Sequence, residues 1–111
     1  MEINHEDYID VNDALKRLGG NMNLYKRLLG QFIAGNHIEP LEEALKNGAK
    51  DDASRLVHTL KGLAANLSLV KLRAFSTELE HQVTDDTDYT ETLAELKQAY
   101  DVTAQVIADL P

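Results

Sequence analysis

The 111-residue chain has no cysteine, no tryptophan and only two prolines. Without cysteine there can be no disulfides, thiolate metal sites or thiol nucleophiles, and a reducing compartment fits. No apolar run approaches the ~18 residues needed to cross a bilayer. The opening "MEINHEDYID" is too acidic and polar for a secretory signal. These absences point to a cytoplasmic protein with no membrane partner. Positive charge is also sparse: eleven Lys and Arg stand against nineteen Asp and Glu, a net charge of −8. The basic residues are scattered, so the basic stripe that a nucleic-acid binder needs is missing. No internal repeat, low-complexity tract or linker interrupts the chain. Its length fits one domain over residues 1–111.

Leucine (17) and alanine (12) supply about a quarter of the residues, and β-branched residues are few. The expected fold class is therefore all-α. Helical periodicity predicts a short helix from about Val11 to Leu18, capped by Asp10 and ended by Gly19-Gly20. A long segment follows from about Leu24 to Lys46, with a kink or break expected around Gly35 and Pro40. A third helix is expected from Asp51 or Asp52 to about Asn66. Its stripe is Ala53, Leu56, Val57, Leu60, Ala64 and Leu67. Ser68 is a suitable N-cap for a fourth helix from about Leu69 to Gln82. Asp88, with Glu91 three residues on, opens the last one. Its stripe is Leu93, Leu96, Tyr100, Thr103, Ile107 and Leu110. Such helices pack most simply as an antiparallel four-helix bundle with a short additional N-terminal helix.

The third helix carries "RLVHTLKGLAANLSL", Arg55 to Leu69. A glycine inside a helix costs ~1 kcal/mol relative to alanine, so Gly62 asks for a reason. On a helical wheel His58 points outward beside the core stripe. Lys61 and Gly62 are its i+3 and i+4 neighbours, and Ser54 and Ala65 lie on the same patch. The small residues leave the helix surface bare around one imidazole, and Lys61 puts a cation within reach. A neutral imidazole is a competent nucleophile near pH 7. A phosphoryl group needs positioning and a nearby positive charge more than covalent help. The arrangement thus suits phosphoryl acceptance. Taken singly, a surface histidine is more often a solvated side chain, and a helical glycine a packing accommodation.

The stretch "HTLKGLAANLSLVKLRAFSTELE", His58 to Glu80, resembles the signature of the histidine-containing phosphotransfer (HPt) domain. The resemblance rests on His58, Leu60, Lys61, Gly62, Ala64, Ala65, Asn66, Leu67, Leu72, Leu79 and Glu80. "IDVNDALKRLGGNMNLYKRLLGQF", Ile9 to Phe32, is similar to the opening helices of that family. The resemblance implies a phosphorelay intermediate. His58 would take a phosphoryl group from an aspartyl phosphate on a receiver domain and pass it to another receiver. Lys61 would stabilise the phosphate, and Gly62, Ala65 and Ser54 would give the partner access. Response-regulator receivers and a hybrid sensor histidine kinase are the implied partners. Mg²⁺ would sit on the receiver, and this chain would bind no cofactor of its own. It would have no ATP site and no turnover of its own, in keeping with its lack of a phosphate-binding glycine loop. A monomer is expected, and the initial Met1 leans toward a free-standing protein.

Two positions depart from the family pattern. Ser68 stands where a glycine is usual. A requirement for positive φ there would make serine a poor fit, whereas a simple helix cap would suit it. Glu80 stands where some members carry an amide. Its carboxylate would repel phosphate, yet could orient the imidazole or pair with Lys61.

Other readings remain beside this one. The chain could be the phosphoacceptor domain of a chemotaxis-type kinase, which shares a similar His-x-x-Lys-Gly, or a helical scaffold that only binds. A sensor-kinase dimerisation helix fits poorly, because Thr59 and Leu63 replace its acidic residue and proline. Glu78 and His81 form one Glu-x-x-His pair, whereas a di-metal bundle needs two such pairs and further glutamates. No metal site is expected.

Overall fold

The computed structural model describes residues 4–110. The ends of the expected 1–111 domain, Met1 to Ile3 and Pro111, lie outside the described residues. A 3₁₀ turn at His5–Asp7 precedes six α-helices: α1 Val11–Arg17, α2 Met22–Ala34, α3 Ile38–Lys46, α4 Lys50–Asn66, α5 Val70–Asp85 and α6 Thr90–Ala108. Among the described residues there is no strand, only an isolated antiparallel bridge between Ile9 and Leu69. None of the helices of the described residues is long and apolar enough to cross a membrane.

The long predicted segment is two helices. The break falls at Gly35-Asn36-His37, and Pro40 lies in the first turn of α3, where its missing N–H has no intrahelical partner to lose. The imidazole of His37 stacks on Phe32 with ring centroids 4.7 Å apart. The Tyr100 hydroxyl donates to the carbonyl of Gly35 at 3.2 Å, tying α6 to the break.

α4 and α5 pack most extensively, and α5 on α6, α3 on α4 and α2 on α6 complete the body. Lys50 pairs with Asp86 at one level and His58 with Glu80 at the next, so α4 and α5 run antiparallel. The expected stripe of α4 is buried at Ala53, Val57, Leu60, Ala64 and Leu67, with Leu56 half-buried. α6 is rotated by about one residue from expectation. α6 buries Thr92, Leu96, Ala99, Thr103 and Val106, leaving Leu93, Tyr100, Ile107 and Leu110 at the core margin. α2 buries Tyr25, Leu29 and Phe32. On α6, small and hydroxylated side chains at Thr92, Ala99 and Thr103 permit close helix approach, and larger ones close the flanks.

Several boundaries differ from the sequence expectations, and α2 begins at Met22 rather than about Leu24. α4 starts at Lys50 behind an Ala49 cap, so Asp51 and Asp52 occupy the first turn and oppose the positive helix end there. α5 continues to Asp85, past the expected Gln82. Asp88 lies one residue before the cap of α6 and accepts from the Thr90 backbone N–H at 3.0 Å.

Ser68 is not the N-cap of α5; Leu69 holds that place. Ser68 instead takes φ +57, the left-handed conformation that usually selects glycine. The α4–α5 turn is held from outside. Arg17 donates to the carbonyl of Asn66 at 2.8 Å, which is otherwise open, and to that of Ala65 at 3.2 Å, which also accepts the Ser68 N–H. Arg17 also donates to the Ser68 hydroxyl, which in turn donates to Asp13 at 2.7 Å. These bonds hold the Asp13 carboxyl below its usual range, Ser68 contributing most and Arg17 next. The fully buried Tyr25 donates to the Leu67 carbonyl at 2.7 Å, and burial pushes its hydroxyl up to about 12.

Candidate functional site

The antiparallel register of α4 and α5 brings one turn of α4 opposite Glu80. His58 is 71% exposed at its side chain, whereas Glu80 is only 19% exposed. One Glu80 carboxylate oxygen is 2.8 Å from His58 Nδ1. The other accepts from Lys61 Nζ at 2.5 Å. A single carboxylate therefore bridges the two α4 residues that share the i, i+3 row.

The electrostatics follow from that bridge. The Lys61 ammonium, foremost, and the His58 ring together hold the Glu80 carboxyl below its ordinary value, against the opposing effect of burial. An ionised carboxylate can only accept hydrogen bonds. The proton in the His58–Glu80 contact must therefore reside on Nδ1. In the neutral ring Nε2 then carries the lone pair. The ring is fixed by its inner nitrogen and offers the other.

Gly62 is exposed, one turn after His58. A Cβ built there meets nothing within 4 Å. No neighbour within the described chain excludes a side chain at Gly62, so packing does not explain the glycine. Ala65 and Ser54 are half-buried, one either side of His58 along the helix. Small side chains thus surround the exposed imidazole along its own helix.

The sequence candidates divide cleanly. His58, Lys61 and Glu80 form one connected group, and Gly62, Ala65 and Ser54 are the low surface about it. Lys61 is 29% exposed at its side chain and already paired, rather than a free outward cation. Glu78 and His81 are both exposed. No group of three or more His, Cys, Asp or Glu suited to a metal ion occurs among the described residues. Arg17 and Tyr25 brace the end of α4 from 42 to 49 residues away, and the sequence reading missed both. No spacing rule finds such pairs. The available signals were a basic residue in the last turn of α1 and a tyrosine within an apolar stripe.

A sequence model of the Hpt domain matches residues 27–106, from within α2 almost to the end of α6. The chain belongs to the Hpt domain family. Hpt domains carry out histidine phosphotransfer in two-component signalling and phosphorelays, working with receiver domains and kinases as carriers rather than as enzymes with catalysis of their own. The match includes His58, Lys61, Gly62 and Glu80, and it begins after the Gly19-Gly20 turn. No curated protein and no solved structure matches the chain.

Proposed function

We propose that this Hpt domain is a phosphorelay intermediate in which His58 Nε2 accepts a phosphoryl group from a receiver aspartyl phosphate and passes it to a second receiver. The observation that carries this reading is the bridge His58–Glu80–Lys61 on a bare helix face. It leaves Nε2 as the outward nucleophile in the one patch where Gly62 has no internal reason to be glycine.

The step balances without a proton transfer at Nε2. Its lone pair forms the N–P bond as the aspartyl O–P bond breaks, and the receiver recovers an ionised carboxylate. Nδ1 keeps its proton and its contact with Glu80. The positive charge that the ring acquires is then opposed by that carboxylate. The charged ring is a good leaving group, so onward transfer reverses the same steps. Glu80 also holds Lys61 beside the ring, where its ammonium can turn toward the phosphoryl oxygens. Gly62, Ala65 and Ser54 admit the partner's reacting group. Divalent metal chemistry belongs to the receiver in this scheme, and this chain contributes the nucleophile, its tautomer and a cation.

We read the body as an antiparallel four-helix bundle, α2 and α3 together forming one broken member beside α4, α5 and α6, with α1 packed on its end, acting as a cytoplasmic monomer between receiver domains, the first on a hybrid sensor kinase. The test is transfer of radiolabel from phosphorylated receiver domains to wild type and His58→Gln. Label on wild type alone, labile in acid and stable in base, is the expected result. Label from a chemotaxis-type kinase domain with ATP, and from no receiver, would assign the chain to the phosphoacceptor role instead. Label from neither would leave a binding scaffold.

A further inference from the structure

The seam between α4 and α5 continues past the reactive histidine. In the register set by His58 and Glu80, Ala65 stands opposite Arg73, and pairing ends at Val70 beside the Ser68 turn. Arg73 is seven residues from Glu80 on α5, so the two share a side of the helix ~10 Å apart. Val70 is 44% exposed, and it is the one large hydrophobic residue of the described chain that is exposed. A cleft of about 310 Å³ opens here, lined by Ala65, Ser68, Val70 and Arg73 together with Asp10 and Asp13.

The charges in this cleft are unevenly engaged. Asp13 receives Arg17 and Ser68, and Asp10 accepts the Asp13 backbone N–H at 3.0 Å. The Arg73 guanidinium has no ionic or hydrogen-bonding partner among the described residues. An unpaired cation and an exposed aliphatic side chain therefore lie on the face that carries His58, in a chain of net charge −8.

We infer that Val70 and Arg73 form a second contact that selects which receiver domain docks on His58, the chosen receiver presenting an aliphatic side chain to Val70 and a carboxylate to Arg73. This inference rests on the phosphorelay reading above and adds the partner's surface chemistry. The reacting group meets the small-residue patch, and the contact ~10 Å away fixes orientation. A rim charge acts chiefly on encounter and partner choice rather than on the chemical step.

The experiment measures phosphoryl transfer from a panel of labelled receivers to wild type, Arg73→Glu and Val70→Ser, at limiting and saturating receiver. Both changed side chains are exposed, and circular dichroism checks that the variants fold. The expected result for the preferred receiver is a loss of ~10-fold or more at limiting concentration for Arg73→Glu. The loss shrinks at saturation and as salt is raised, and an Asp→Lys or Glu→Lys change on that receiver reverses it. Val70→Ser narrows the ratio between preferred and other receivers. Label that reaches all three proteins at equal rates from every receiver would overturn the docking contact and leave phosphotransfer standing. Wild type that takes no label from any receiver would overturn both.

Discussion

Replacing Gly62 by alanine separates the two explanations of a helical glycine. Gly62 lies in the interior of α4 with open space where a Cβ would go. The methyl group meets no strain, and alanine has less conformational freedom to lose on folding. Gly62→Ala should therefore stabilise the domain by ~1 kcal/mol. For a chain of this size that raises Tm by about 4 °C. The same methyl occupies the surface beside Nε2. If it displaces the incoming phosphoryl group by about 1 Å, transfer falls ~100-fold. Gly30 provides the control: it lies within α2, is exposed, and has equally open space around its would-be Cβ. Gly30→Ala should give the same rise in Tm with transfer at the wild-type rate. Thermal melts by circular dichroism and transfer rates at limiting receiver measure both effects. A Gly62→Ala protein that is stabilised and transfers at the wild-type rate would refute the steric role. One that is destabilised would refute the structural argument beneath it.

Glu80→Gln removes the charge that fixes the ring and holds Lys61; transfer should slow, and ¹⁵N shifts of His58 should show a greater share of the Nε2–H tautomer. The Glu80 carboxyl is depressed below its ordinary value of 4.5 in the fold. Its pairing thus stabilises fully above that value and is lost as pH falls through the lower folded value. Acid titration of stability should accordingly be shallower in Glu80→Gln than in wild type, and identical curves would contradict the bridge. Arg17→Ala leaves the Asn66 carbonyl without its donor and the Ala65 carbonyl with the Ser68 N–H alone, and should cost about 1–2 kcal/mol in urea denaturation; no change would show the turn to be held by its backbone alone. At Ser68 the hydroxyl contacts oppose a left-handed strain of about 1 kcal/mol. Ser68→Ala keeps the strain and loses the contacts, costing ~2 kcal/mol, while Ser68→Gly relieves the strain and should cost ~1 kcal/mol. A glycine variant more stable than wild type would mean that the hydroxyl contributes less than the strain.

The helical class, the stripe of α4 and the patch around His58 were legible because each depends on spacing within one helix. Val57, Leu60 and Ala64 recur at helical intervals, and His58, Lys61 and Gly62 follow from the same wheel. The break before α3 was legible from Gly35 and Pro40, though its place depended on Phe32, His37 and Tyr100, which meet only in the folded chain. The facing of α6 was misjudged because large apolar side chains mark the stripe more loudly than Thr92 and Ala99, which sit deeper. Ser68 left a choice between cap and left-handed turn. The deciding partners, Asp13 and Arg17, lie more than fifty residues before it and leave no periodic trace. Glu80 likewise offered two roles, orienting the ring or pairing with Lys61. The geometry permits both because its carboxylate has two oxygens and stands between the residues.

The nitrogen turned away from Glu80 is expected to carry the phosphoryl group. The most direct test is ¹⁵N and ³¹P NMR of the imidazole, before and after phosphorylation by a receiver. The expected spectra show Nδ1–H on the free ring of His58 and ³¹P coupling to its Nε2 afterward. A phosphoryl group on Nδ1, or on any residue other than His58, would contradict the account.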